Sequence, residues 1–312
     1  MDANALMPAR LSPGDGVALV SPASWPHDSE AAAMAKELES WGLRVSVGEH
    51  VLDHHGYLAG TDEDRLEDLN AAIRNPEIRA IVATRGGCGS FRLTKGVDLV
   101  ALVKDPKPIV GFSDITALHH LWHTVQVPSL HGAISGKHRD DVRRILMDGG
   151  TTTVTSEPGA LSADLTTRGR SEGIVFGGNL EMLARAVGVV PFDLAGCILL
   201  LEINKAAGLG MVDRALTQLI YSGALDGITG LAIGSIDQFR GFEDRGWSIL
   251  DVLHHHLDGL NVPIVGGLAL GHVEDLVTTP LGIPAVLDAD RRQMVVGSPV
   301  TASTAVLSQR GH

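Results

Sequence analysis

Aromatic residues are scarce: Phe, Trp and Tyr together make up 4% of the 312 residues. Proteins that hold single-stranded nucleic acid stack its bases on aromatic rings, and this chain has few to offer. Positive charge is also short. Lys and Arg number 25 against 37 Asp and Glu, a formal net charge of -12 at pH 7. Such a surface repels phosphate backbones on average, which argues against a nucleic-acid partner, and it favours solubility. Cysteine is nearly absent. Cys88 and Cys197 are the only two and neither belongs to a CxxC pair, so no disulfide framework is expected. No run approaches the roughly 18 apolar residues of a membrane helix, and Met1 to Arg10 lacks the apolar core of a signal peptide. A cytoplasmic protein with no membrane partner is the expectation.

What is present predicts a packed core. Hydrophobic residues reach 44% and charged residues 20%, a balance that disfavours disorder. The 37 glycines point to many tight turns and close backbone approaches. The length suits one large domain or two ordinary ones.

Short apolar runs alternate with amphipathic stretches through the first half of the chain. Gly16–Ser21, Leu43–Val47, Ala80–Thr84 and Pro108–Phe112 have the texture of strands. Asp28–Trp41 predicts a helix capped by Asp28 or Ser29 and ended by Gly42. Thr61–Ile73 predicts another, with Thr61 and Asp64 as a capping box. Phe91–Val103 is partly helical, and a further helix runs from Asp114 to about Val125. Strands alternating with helices imply a parallel sheet with right-handed crossovers. From Gly149 to Gly173 the texture turns to Thr, Ser, Gly and Pro, which marks a linker or irregular crossing. Beyond it, Cys197–Glu202, Gly230–Gly234 and Pro263–Gly267 predict strands, and Asp213–Tyr221 and Trp247–Leu257 predict helices. The division is therefore 1–150, a link over 151–172, and 173–312.

Reacting groups in open parallel sheets gather beyond the carboxyl ends of the strands. Ser21–Ser24, Arg85-Gly-Gly-Cys-Gly89 and Gly111-Phe-Ser-Asp114 all fall there. The last resembles a nucleophile elbow, with Ser113 between a strand and a helix. Gly111 leaves room for the turn, but Ile115 stands where the elbow carries its second glycine. Ser113-Asp114 equally suits an ordinary helix cap. A nucleophilic serine needs a base and an acid to orient it, and 14 histidines leave the base open. His119, His120 and His123 share a helix without an accompanying Glu or Cys, so packed or surface histidines are expected there, and no metal. His254–His256 suit a solvated helix face. His272 differs, because it follows an apolar strand-like run in a glycine-bearing loop, where a rigid scaffold can hold a functional group. Glu202 ends the run Ile198–Glu202. A carboxylate there either is paired or reaches solvent.

Taken in order, these segments resemble the LD-carboxypeptidase family of serine peptidases, which includes the microcin C immunity peptidases. The resemblance rests on Leu11-Ser-Pro-Gly-Asp-Gly16 through Pro22, Tyr57–Arg65, Arg85–Ser90, Gly111–Leu118 and His131-Gly132. It continues with Gly177-Gly-Asn-Leu180, Leu200-Leu-Glu202, Val212–Leu219 and Gly271-His272. It implies a Rossmann-like or flavodoxin-like N-terminal domain carrying the nucleophile. It also implies a smaller C-terminal α/β domain carrying acid and base, with the active site at their interface. The implied triad is Ser113, Glu202 and His272, in a homodimer that needs no cofactor. Backbone N–H groups of Gly87 and Asp114 would form the oxyanion hole. Arg85 would pair with a substrate carboxylate or across the domain interface. Cys88 stands where relatives usually carry an aromatic residue and so alters the pocket wall. The segment from Lys205 to Met211 is where substrate-contacting loops differ within the family.

The function implied is release of a terminal D-amino acid from a murein peptide. A microcin-type peptidase acting on an aminoacyl-nucleotide conjugate would need an aromatic platform, for which Trp25 and Trp247 are the candidates. A non-catalytic binding module, with Ser113 as a helix cap, is the alternative of a different class. A dinucleotide-dependent oxidoreductase is disfavoured, because Gly86-Gly-Cys-Gly89 is not the G-x-G-x-x-G fingerprint.

Overall fold

The computed structural model describes residues 5–134, 139–273 and 276–301. The four expected strands become β1 (Gly16–Val20), β2 (Arg44–Val47), β3 (Ile78–Ala83) and β4 (Ile109–Gly111), and a fifth parallel strand, β5 (Ser129–His131), joins them. Their spatial order is β2-β1-β3-β4-β5, the flavodoxin-like arrangement. Its ligand crevice opens between β1 and β3, where the strand order reverses. Both faces of this sheet are covered. Ala18 and Val20 of β1 pack into one apolar cluster with Leu69 and Ile73, while Val17 and Leu19 pack into another with Leu38 and Trp41. Burial on both faces is why β1, β3 and β4 carry nearly continuous apolar runs, whereas β2, at the sheet edge, alternates and is largely exposed.

The second sheet takes β6 (Thr152–Thr155), β7 (Arg170–Asn179), β8 (Cys197–Glu202) and β9 (Gly230–Gly234). A small hairpin, β10 (Glu243–Asp244) with β11 (Trp247–Ser248), lies apart from it. The second sheet also takes β12 (Ile264–Leu268), β14 (Ile283–Asp288) and β15 (Gln293–Val296), while β13 (Thr279–Leu281) lies outside it. The sheet order is β12-β9-β8-β7-β14-β15-β6. The first four strands are parallel and the other three antiparallel. Helices Leu180–Ala186, Gly208–Tyr221 and Ile249–Leu257 cover one face. Among the described residues no helix is long and apolar enough to cross a membrane.

Several local details differ from the sequence expectation. His27, rather than Asp28 or Ser29, precedes the first helix, and its backbone N–H donates to Glu30 Oε2 at 3.0 Å. The helix expected from Asp213 already starts at Gly208. Trp247 belongs to the hairpin, and Ser248 caps the helix that follows. The Thr-rich crossing is structured. Thr152 and Val154 point inward on β6, which pairs with β15 at the sheet edge. The chain also crosses back: β13 pairs antiparallel with β5 and so completes the first sheet.

Candidate active site

Beyond β4 the chain turns sharply. Phe112 is extended, and Ser113 takes φ +60, a left-handed angle that costs a residue with a β-carbon roughly 1–3 kcal/mol. A single 3-10 turn, Ser113–Ile115, then feeds the helix Thr116–Thr124. The missing second glycine has a local explanation. A Cβ on Gly111 would lie 2.7 Å from Ile115 Cγ2, so Gly111 supplies the clearance from inside the turn. Gly86 lies equally close, since a Cβ there would sit 3.1 Å from the Ser113 Cβ. His119 braces the turn from behind. Burial pulls its pKa down to about 3, so the ring is neutral. Its Nε2 lies 2.9 Å from the Gly111 carbonyl, which can only accept, so Nε2 carries the proton. The Ser129 hydroxyl then donates to Nδ1 at 2.9 Å.

Glu202 ends β8 and is 1% exposed. Both of its oxygens are engaged. Oε2 lies 2.7 Å from His272 Nδ1, and Oε1 accepts from Asn179 Nδ2 at 3.0 Å. Such pairing is what a buried carboxylate requires. Its hydrogen bond raises the His272 pKa above the ordinary value, against the lowering effect of burial. Gly271 makes the pair possible: it has φ +85, and a Cβ there would lie 2.5 Å from the Glu202 Cβ. Ser113 and His272 line one cleft, although among the described residues no hydrogen bond joins them directly. The Phe112 ring lies 5.3 Å from the His272 ring, centroid to centroid.

The glycine loop after β3 faces Ser113. Ser24, beyond β1, holds it at two points: its N–H donates to the Gly86 carbonyl at 3.2 Å and its Oγ accepts from the Cys88 N–H at 3.2 Å. Among the described residues, the backbone N–H groups of Gly87 and Asp114 make none of the loop and turn hydrogen bonds. The Asp114 side chain is structural, accepting from the Ser90 N–H at 2.9 Å, while the Ser90 hydroxyl donates to the Asp114 carbonyl at 2.6 Å. Arg85 is half-exposed and approaches Glu30 at 3.5 Å.

Two clefts meet at Ser113. The larger, about 780 Å³, is lined by Glu30, Glu37, Arg85, Phe112, Arg139 and His272. The smaller, about 440 Å³, is lined by Tyr57, Cys88, Phe91, Arg92, Asn179, Glu181 and Arg185. Neither tryptophan candidate lines either of these clefts: Trp25 stacks on His54 with centroids 4.1 Å apart, and Trp247 lies edge-on to His255.

Several other described histidines serve packing and surface pairs. His120 and His123 pack against Phe176, and His256 Nε2 meets Asp213 at 2.9 Å. His50, Asp53 and Asp64 form the only potential metal-ligand group among the described residues. That group lies outside both clefts, and His50 Nδ1 is already bonded to Asp53 at 2.8 Å.

Sequence reasoning missed the roles of Asn179 and Thr116, and placed Ser21–Ser24 beside the site without the loop contacts that Ser24 makes. Asn179 caps the helix Leu180–Ala186 with its Oδ1 and holds Glu202 with its Nδ2. Its backbone N–H donates to Thr116 Oγ1 at 3.0 Å, joining the helix after Ser113 to the end of β7 behind the site. The run Gly177-Gly-Asn-Leu180 carried that signal, since two glycines before a capping residue mark a close crossing.

A flavodoxin-like sheet presents a strained serine to a cleft shared with a second α/β unit, and the family match places this protein among serine hydrolases of the carboxypeptidase type. More particularly, the chain belongs to the LD-carboxypeptidase family. Residues 17–132 match the LD-carboxypeptidase N-terminal domain and residues 172–287 the LD-carboxypeptidase C-terminal domain. It is 36% identical to a putative carboxypeptidase of Streptomyces coelicolor, over 95% of this chain and 97% of the relative. It is 30% identical to a probable murein peptide carboxypeptidase of Bacillus subtilis, over 94% of this chain and 95% of the relative. The fold matches that of MccF in complex with glutamyl sulfamoyl guanosine, with TM-score 0.80 and 23% identity over 95% of this chain and 100% of that one.

Proposed function

We propose that the protein hydrolyses the terminal amide of murein-type peptides through Ser113, His272 and Glu202. The observation that carries this reading is the 2.7 Å bond between Glu202 and His272, facing a strained Ser113 across one cleft. Glu202 accepts from Nδ1–H, which leaves Nε2 of the neutral ring free to act as base. His272 takes the Ser113 proton as Oγ attacks the scissile carbonyl, and Glu202 stabilises the imidazolium. The Gly87 and Asp114 N–H groups receive the oxyanion. His272 then protonates the departing amine, and water, activated by the same ring, releases the acyl group.

This sequence orients the substrate. The leaving group must lie beside the acid that protonates it, and His272 lines only the larger cleft. Arg85 in that cleft would take the terminal carboxylate, with Glu30 as its resting partner. The acyl side then occupies the smaller cleft, where Cys88 forms part of the wall.

The size of the larger cleft, about 780 Å³, favours a second reading in which the leaving group is a nucleotide-like moiety. MccF binds glutamyl sulfamoyl guanosine, but here Phe112 is the one Phe, Tyr or Trp among the described residues lining that cleft. Liquid chromatography of reactions with a murein tetrapeptide and with a processed microcin analogue separates the readings. The first predicts cleavage of the tetrapeptide, and cleavage of the conjugate alone overturns it. Ser113→Ala should fold normally and lose turnover, and undiminished hydrolysis by that variant would remove Ser113 from the mechanism. The family resemblance further implies a homodimer, which light scattering of the purified protein would test.

A further inference from the structure

Three residues line both clefts: Gly87, Ser113 and Asn204. A substrate reaching from one cleft into the other crosses at these residues, so its scissile bond lies among them. Gly87 and Ser113 have parts in the reaction proposed above. Asn204 has none, and it comes from the opposite wall, two residues beyond Glu202 at the end of β8.

Its segment is held in place. Ile203 turns into the core at 2% exposure, and its carbonyl accepts from Gln238 Nε2 at 2.8 Å. Asn204 Oδ1 accepts the backbone N–H of Ala206 at 2.9 Å, capping a short 3-10 turn. The oxygen of the carboxamide is thereby committed. Its Nδ2, on a half-buried side chain, bonds no described residue. A carboxamide anchored through its oxygen presents two N–H donors in a fixed direction, and fixed donors beside a reacting bond hold the substrate in a productive pose.

We propose that Asn204 Nδ2 donates to a substrate carbonyl or carboxylate oxygen next to the scissile bond. It would clamp the substrate against the wall that carries Gly87 and Ser113. The inference rests on the peptidase reading and adds a requirement to it: the substrate must offer an acceptor oxygen within about one residue of the bond cut. The oxyanion itself faces the Gly87 and Asp114 N–H groups, so the Asn204 donors serve a second oxygen.

Asn204→Asp tests this, because aspartate keeps the oxygen that caps Ala206 and replaces the amide donor with a negatively charged acceptor, which repels a substrate oxygen. kcat/KM for a murein tetrapeptide should fall about tenfold or more, the range for one lost substrate hydrogen bond. Labelling of Ser113 by a small fluorophosphonate should proceed at the wild-type rate. Asn204→Ala, which loses cap and donor together, should fall at least as far. Wild-type kcat/KM in Asn204→Asp would make Asn204 a cap alone and overturn the inference. So would a labelling rate that falls in step with turnover, since Asn204 would then act through the triad. A wild-type protein that leaves the tetrapeptide intact overturns the peptidase reading and this inference with it.

Discussion

Glu202 and His272 illustrate how much chemistry rests on single contacts. The Glu202 bond raises the His272 pKa above the ordinary 6.5, with burial opposing it. The neutral ring is the base, so kcat/KM should climb with pH along an acid limb centred above 6.5. Glu202→Gln should move that limb to lower pH and reduce kcat by roughly 10³-fold or more, because the tautomer and the imidazolium lose their partner. A pH–rate profile of the variant with an unmoved limb would remove Glu202 from the pair. At this scale the sequence was informative but incomplete. Ser113 sat at a recognisable strand-to-helix junction, yet Ile115 broke the elbow pattern. Which atoms fill a turn is a matter of three-dimensional clearance, and Gly111 provides that clearance from the other side.

Among the elements, the helix after Ser113 and strand β7 form one device. Thr116 Oγ1 receives the Asn179 N–H, and Asn179 Nδ2 holds Glu202. A Cβ on Gly178 would collide with the Thr116 hydroxyl, so the approach requires glycine. Thr116→Val keeps the shape but leaves the buried Asn179 N–H unpaired. It should cost about 1–3 kcal/mol, and it should lower kcat/KM by loosening Glu202. Denaturant unfolding with parallel kinetics measures both, and an unchanged kcat/KM would mean that the bracket does not transmit to the acid. Seven strands, β1 to β4, β8, β9 and β12, were legible in the sequence, most of them as apolar runs that burial on both faces demands. The others, β13 among them, were not. The three residues of β13, Thr279, Pro280 and Leu281, carry no pattern of their own, and their place beside β5 depends on a partner about 150 positions away in the chain.

Across the whole molecule, buried neutral histidines set the response to acid. Burial lowers the pKa of His119 to about 3 and that of His123 to about 4, and it also lowers those of His120 and His131. The unfolded chain binds protons at these sites near 6.5 while the folded protein does not. Stability is therefore held above 6.5 and lost as pH falls toward the folded values. His119 alone should cost about 2 kcal/mol by pH 5. The urea midpoint should drop between pH 7 and pH 5, and equal midpoints would contradict neutral burial.

The sequence by itself determined the alternation of strands and helices, the turn that exposes Ser113, and the motif order that marks the family. These are local properties, written in apolar runs, caps and glycines. Only the tertiary structure decided that Glu202 meets His272 across 70 residues, that Asn179 braces the acid, and that Ser113 stands where two clefts join. Those facts arise where separate sheets pack together. The closeness of such groups depends on the shape of the whole fold, which no local pattern carries.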